Sequence, residues 1–344
     1  MRDDLIRFRW KAGWLIAFWL LCGCVSGADT VVAIALHPTD PNILYVVTHE
    51  GPLKTYDGGT TWQKIFTRMS QSRVLAIGID PAIPSTVYLG TKDDGVYSSY
   101  DGGRQWLSLR AGLDDVRVTA EVQQIVFAPG PQKRVFLATA MGVFELSAEG
   151  NTWQKRMAGI TNVLMVTALA VDSGRPDVLY AGTSSGVYKT TDGARTWRDA
   201  NAGMLQTDRV VSSRALGVTA LAIDPHQPDI AYVGTLDGLY KTRDGGRAWT
   251  RIGRELASQS IHALVLDPGR QDEIYVGGPT GVFKSRDGGM TWENRSADLL
   301  SRNVLTLAAS RTSPALVYAG TNGGGLLRSR DGATTWEPVP LAVK

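Results

Sequence analysis

Carboxylates come first, because two of them facing each other across a cleft would support glycoside hydrolysis, one as acid and one as base or nucleophile. Six aspartates, Asp57, Asp101, Asp192, Asp244, Asp287 and Asp331, recur in one local context, and Asp80, Asp172, Asp224 and Asp267 recur in another. A group repeated at a fixed interval has a structural reason before it has a chemical one. Off the pattern stand Asp114, Asp115, Glu121, Asp208, Glu255 and Asp298, for which a solvated surface is the default. His37, His49, His226 and His262 occur singly, whereas a metal site needs clustered ligands. No G-x-S-x-G elbow is present, and Gly323–Gly325 after Asn322 reads as a hairpin turn rather than a phosphate loop. Neither a metal nor a cofactor is expected.

The recurring aspartates belong to a repeated element. Ser/Thr-x-Asp-x-Gly-x-Thr-Trp, with variations, appears as Thr55–Trp62, Ser99–Trp106, Ser147–Trp153, Thr190–Trp197, Thr242–Trp249, Ser285–Trp292 and Ser329–Trp336. Successive tryptophans are 44, 47, 44, 52, 43 and 44 residues apart, the size of one four-stranded propeller blade. Each unit predicts a first strand: Val31–Leu36, Val74–Ile79, Val122–Phe127, Val166–Val171, Val218–Ile223, Ile261–Leu266 and Val304–Ala309. A turn follows, often Asp-Pro, where proline ends the ladder. The second strand centres on an aromatic (Tyr45, Tyr88, Phe136, Tyr180, Tyr232, Tyr275, Tyr318), and a third strand begins at glycine, as at Gly186 and Gly281. The box then turns the chain into a fourth strand starting at the tryptophan.

The residue types suit that task. Aspartate accepts hydrogen bonds from the amides of a tight turn, and glycine supplies positive φ. Tryptophan can bury its ring between units, provided its indole N–H finds a partner. Seven units predict an all-β, seven-bladed propeller of four-stranded antiparallel blades, a ring without long free edges. The units begin and end in phase, which favours closure by packing of the first blade on the last, though strand exchange stays open. The third box has Glu149 in place of aspartate and is one residue short; a degenerate turn accounts for it better than a catalytic Glu149.

These boxes resemble the Asp-box, or BNR, repeats of sialidases, sortilin-type receptors, xyloglucan hydrolases and photosystem II stability/assembly factors. The resemblance covers roughly residues 30–341 and lies nearest the assembly-factor family, which implies non-catalytic protein binding on an assembling membrane complex. The repeats specify the fold and not the function. A sialidase would need an arginine triad, a tyrosine nucleophile and an Arg-Ile-Pro segment; that segment is absent and all eleven tyrosines lie within the repeat. Of ten tryptophans, Trp10, Trp14 and Trp19 precede the repeats and seven are box residues, so none remains as a sugar-stacking platform. Xyloglucan hydrolases of this repeat type use two tandem propellers with a cleft between them, and one propeller is seen here. A glycan-active or glycan-binding protein is the alternative.

Residues 1–24 read as an export signal: a basic start, the apolar run Ala12 to Leu21, and Leu21-Cys22-Gly23-Cys24. That ending resembles a bacterial lipobox, which implies lipidation at Cys24, a short linker over 25–29 and the propeller over 30–344. The expected location is the cell envelope, anchored to a periplasmic or outer-membrane face. Both cysteines of the chain lie in the signal, so the mature domain has no disulfide or thiolate site. Residues 1–23 hold four of the 36 basic and two of the 33 acidic residues, leaving a net charge of +1, which argues against a nucleic-acid partner.

Recognition is expected on the variable fourth-to-first-strand connections. The stretches 63–73, 107–118, 154–165, 198–217, 250–260 and 293–303 contain 14 basic and 7 acidic residues. Arg68, Arg73, Arg110, Arg117, Arg209, Arg214, Arg254 and Arg302 are the candidate partner-binding residues, as the arginine fork suits carboxylates. Scattered solubilising charge would give the same composition. The longest connection, 198–217, adds Met204-Leu205 and Val210-Val211 as an apolar anchor beside Arg209 and Arg214. The expected protein is a monomer that binds an acidic surface on a membrane complex.

Overall fold

The computed structural model describes residues 30–66, 72–113, 121–130, 134–161, 163, 165–204, 216–299 and 301–343. Seven four-stranded antiparallel sheets follow one another, each using four consecutive strands in sequential order. The blades span 31–64, 74–109, 122–155, 166–199, 218–252, 263–294 and 304–339. Each first strand lies against the first strands of both neighbours, including that of blade 1 against that of blade 7. The ring therefore closes by packing, and no described strand crosses between sheets. Across the closure, Arg328 Nη1 donates to Gly58 O (2.7 Å), Thr30 donates to Asn322 Oδ1 (3.2 Å), and Trp62 bridges Val343 in parallel.

The core lies between blades. Val96 and Leu109 of blade 2 pack with Val122, Ile125 and Trp153 of blade 3, and the other seams repeat the arrangement. The predicted first strands match in five units; the third runs one residue further, to Ala128, and the sixth begins at Ala263 and not Ile261. The Ile261 amide instead donates to Thr235 O of blade 5 (2.9 Å), which takes it out of its own ladder. The other first strands bulge after their first residue. The bulged side chain then reaches sideways, as when Thr167 donates to Val218 O of the next blade (2.6 Å). Fourth strands start one residue after the tryptophan, not on it, in every blade but the third, where Trp153 pairs with Leu146. The ring of the tryptophan is turned into the seam instead.

Two sets of turn contacts define the faces. On one, box amides meet the first-to-second-strand turns: Gly58 N donates to Asn42 O (2.9 Å) and Gly245 N to Asp229 O (2.9 Å). On the other, second-to-third-strand hairpins meet the ends of the connections: Lys92 N donates to Arg73 O (2.8 Å) and Asn322 N to Asn303 O (2.9 Å). We call these the box face and the connection face.

Candidate functional site

The box aspartates are turn anchors. Asp57 accepts from Thr55 Oγ1 (2.7 Å), Thr61 N (2.9 Å) and Thr61 Oγ1 (2.7 Å). Asp192 repeats this with Thr190 and Thr196, and Asp331 with Ser329 and Thr335. Asp101, Asp244 and Asp287 accept from two amides each and from the box hydroxyl. Donors around a carboxylate favour its charged form. The Thr61 hydroxyl, helped by Thr55, holds Asp57 well below the usual range, and Thr196 does so for Asp192. At Asp287 and Asp331 burial pushes upward, but the bonds overcome it and hold both at about 2. A group fixed as an anion in this way is no general acid near neutral pH. In the short third box Asn151 Oδ1 accepts from Ser147 and Thr152 (3.2 Å each), while Glu149 is exposed. That turn is structural.

The second set of aspartates is used in the same manner. Asp80, Asp172 and Asp224 each accept two amides from the turn that follows, and Asp267 accepts Gly269 N (3.0 Å). In blade 1 His37 stands in their place, its Nδ1 facing the amides of Thr39 (3.4 Å) and Asp40 (3.2 Å). Burial lowers its pKa, consistent with a neutral ring that accepts. His226 is exposed, and His262 Nδ1 lies 3.2 Å from Val304 O of the next blade. Among the described residues no three His, Cys, Asp or Glu side chains group as a metal site.

A device that the sequence reading missed ties five blades to the next. A cation just before the box, opposite the central aromatic, donates to the first box-glycine carbonyl of the following blade. Lys54 reaches Gly102 O (2.8 Å), Lys189 Gly245 O (2.6 Å), Lys241 Gly288 O (2.6 Å), Lys284 Gly332 O (3.1 Å) and Arg328 Gly58 O (2.7 Å). Each lysine also lies over its tyrosine ring at 4.8 to 5.2 Å. Blade 2, which faces the shortened box, carries Ser98 there, and blade 3 carries Glu145 with Arg134 reaching Gly193 O (2.8 Å). The signal was a basic column in the repeat alignment.

Six of the seven box tryptophans have a partner for the indole N–H. The indoles of Trp106, Trp153, Trp197, Trp249 and Trp336 donate to Ile65, Leu109, Arg156, Ala200 and Arg295 carbonyls of the preceding blade at 2.6 to 3.0 Å. Trp292 donates within its own box, to Gly289 O (3.1 Å).

The connection face holds the candidate arginines. Arg73, Arg110, Arg254 and Arg302 are exposed; Arg68, Arg117, Arg209 and Arg214, like Cys24, lie outside the described residues. Arg110 pairs with Asp94 (2.8 Å). The hairpins bring Glu50, Asp93, Asp94 and Asp237 to the same face, a contribution absent from the connections alone, so its described part carries both signs. Lys64, Lys155 and Arg198 lie in exposed fourth strands at the rim.

Nor are the connections wholly variable. Each described one starts with a tight turn whose apolar residue enters the seam. Met204, expected as an anchor for a partner, is 2% exposed and packs with Val187, Val218 and Trp249. Burial of such a side chain is worth about 1.5–3 kcal/mol, so the residue stabilises the seam. Gly112, Gly159 and Gly203 keep these turns tight. A Cβ there would lie 2.0 to 2.2 Å from the carbonyl of the next box tryptophan, at φ between 82° and 93°.

Two concavities among the described residues bear on a ligand site. One, of about 10 Å³, is lined by Asp224, Asp267, Asp272 and Glu273; it holds about one water and no sugar. The other, of about 300 Å³, lies on the connection face between blades 7 and 1, with Glu50 its one lining carboxylate among the described residues.

No family model matches the chain. It is 26% identical over 244 residues to the oligoxyloglucan-reducing end-specific xyloglucanase of Emericella nidulans, covering 66% of this chain and 24% of that enzyme. The chain thus spans about a quarter of the length of that curated relative. Among solved structures, YCF48 bound to a D1 peptide superposes with a TM-score of 0.65 at 17% identity, covering 89% of this chain and 93% of that one. YCF48 from Cyanidioschyzon merolae gives 0.64 at 17% identity, over 91% and 98%. At such identities a superposition establishes shared fold. The likeness to YCF48 and to a xyloglucanase agrees with the resemblance carried by the repeats of this sequence.

Proposed function

We propose that this chain is a non-catalytic binding propeller, anchored in the cell envelope through lipid on Cys24, which serves as an assembly or stability factor for a membrane complex. Its partner is a protein surface rich in acidic groups, met by the connection face. The observation that carries this reading is the engagement of the repeated chemistry. All six box aspartates are tied to turn donors, and the box tryptophans are packed in the seams. What varies is the connection face, where Arg73, Arg254 and Arg302 stand exposed. The likeness to YCF48, solved with a peptide of D1, supports a protein as partner.

A glycan-active or glycan-binding protein is the second reading, favoured by the sequence kinship with xyloglucanases. One experiment separates the two. Full-length tagged chain, cross-linked in envelope membranes, is purified as wild type and as the Arg73→Glu/Arg254→Glu/Arg302→Glu variant. The proposal expects one membrane complex with wild type and its loss from the folded variant. Equal recovery from both would refute the arginine face. No complex from either, with cleavage or binding of xyloglucan oligosaccharides, would establish the second reading. Cys24→Ser should move the chain from the membrane to the soluble fraction.

A further inference from the structure

In five of the seven seams the described chain shows how a connection fills the space between blades. The side chain seven residues past the box tryptophan drops between the blades: Leu113, Ile160, Met204, Leu256 and Leu299, each less than a tenth exposed. A backbone bond closes each turn, as from Leu113 N to Arg110 O (2.9 Å) and from Met204 N to Asn201 O (3.0 Å). Leu113 sits among Val96, Leu109 and Trp153, beside Gly95 of its own hairpin.

The seam between blades 7 and 1 differs. The seventh residue past Trp336 is Val343, which is 43% exposed. Beside it opens the groove of about 300 Å³, with Leu53 and Glu50 on the blade 1 side and Leu326, Pro338, Val339 and Leu341 on the other. Leu326 and Val339 are the blade 7 counterparts of Val96 and Leu109, so this groove is the place that Leu113 fills in its own seam. A second observation marks the same seam as incomplete. Trp62 is fully buried, yet its indole N–H has no partner among the described residues. By the spacing of the other five seams its acceptor would be the carbonyl of Val339.

We propose that this groove is a docking seat for a protein partner and that it takes a leucine-, isoleucine- or methionine-sized side chain presented on a tight turn. The inference rests on the reading of the connection face as the partner-binding face, and it names the apolar anchor that the arginines lack. The chemistry of the occupant follows from the chain itself. In the five described seams the same scaffold seats leucine three times, isoleucine once and methionine once. The volume lies at the lower end of ligand-holding pockets, roughly 300–1,000 Å³, which suits one anchor residue and its neighbours. Glu50, exposed at the rim, selects for a basic or amide group beside the anchor, as Arg110 stands beside Leu113.

The probe is a fluorescein-labelled peptide copying Leu109–Asp114 of this chain, titrated into the full-length protein and followed by polarisation. Saturable binding is expected, and the same peptide with serine in place of its second leucine should bind at least tenfold more weakly. Val343→Trp, a change at an exposed residue, fills the groove and should weaken binding at least tenfold. Glu50→Lys should weaken it several-fold. Circular dichroism melting confirms that both variants fold. Absence of saturable binding to wild type, or equal binding by folded Val343→Trp, overturns the proposal. The arginine triple variant should still bind the peptide. If the peptide fails while that variant still loses the membrane complex, the seat is refuted and the assembly-factor reading stands. If the peptide binds and no complex is recovered, the seat stands and that reading falls.

Discussion

Replacing either of two buried lysines by methionine should reveal how charge, rather than packing, holds successive blades together. Lys241 and Lys284 occupy equivalent positions, each donating to the box glycine of the next blade over a tyrosine ring. Lys241→Met keeps the aliphatic stem and removes a charge-assisted bond, worth about 1.5–3 kcal/mol. Part of that returns, because the buried ammonium is no longer desolvated; burial already lowers the Lys241 pKa. Gly288 O also keeps the Tyr232 hydroxyl (3.1 Å). The expected net loss is about 1–2 kcal/mol. Lys284 has one partner more, Glu273 Oε2 at 2.9 Å, on side chains 1% and 14% exposed. Lys284→Met therefore leaves a largely buried carboxylate with Arg270 (3.3 Å) and Tyr275 (3.1 Å) as its remaining side-chain partners among the described residues. Breaking one side of a buried pair costs about 3–5 kcal/mol, and the two remaining partners place this one at the low end, about 3 kcal/mol. Urea unfolding at pH 7, with reversibility checked, measures both. Adding Glu273→Gln to Lys284→Met should recover part of the loss, since it removes the stranded charge. Burial opposes ionisation of Glu273, but the Lys284 bond and charge bring its pKa below normal in the folded state. Its contribution is thus present above the unfolded value of about 4.3 and fades as pH falls through the folded value, so wild type and Lys284→Met should converge in acid. No loss from either variant would show that the lysines act as apolar stems, and the clamp reasoning would be wrong; equal losses from both would show that the Glu273 pairing adds nothing.

Other outcomes follow from the turns. With folded pKa values of about 2 for Asp287 and Asp331, below an unfolded value of about 3.9, their contribution should be complete above about pH 4. It should be lost between about pH 4 and 2, and Asp287→Asn should flatten that part of an acid-unfolding profile. Gly203→Ala forces positive φ on alanine, about 1–2 kcal/mol, and drives a Cβ toward Trp249 O, where the Trp249 N to Ala202 O bond (2.8 Å) must give. A loss of about 2–3 kcal/mol is expected in urea unfolding. Gly174→Ala, in negative φ with only Asp172 Oδ1 near at 3.6 Å, should change stability by under about 0.5 kcal/mol.

Sequence alone determined the number of blades, their four-strand composition, and the work of the box aspartates and tryptophans. These are local or periodic properties: a tight turn needs its acceptor and glycine within eight residues, and strand alternation repeats with each unit. His37 in the turn of blade 1 escaped that reading because its neighbours in sequence do not show which ring nitrogen meets an amide. The lysine column was present in the repeats, but its purpose depends on a carbonyl nearly fifty residues away, as from Lys54 to Gly102. The charge of the connection face was likewise undecided by sequence, because the hairpins bearing Glu50, Asp94 and Asp237 join that face only once the blades are packed. Met204 looked like a free anchor for the same reason. Only the closed ring showed it buried in the seam between blades 4 and 5, and only the closed ring formed the groove between blades 7 and 1. Seams are made by residues remote in the chain, and their packing is decided by tertiary structure, where the apolar surface of one blade meets that of the next.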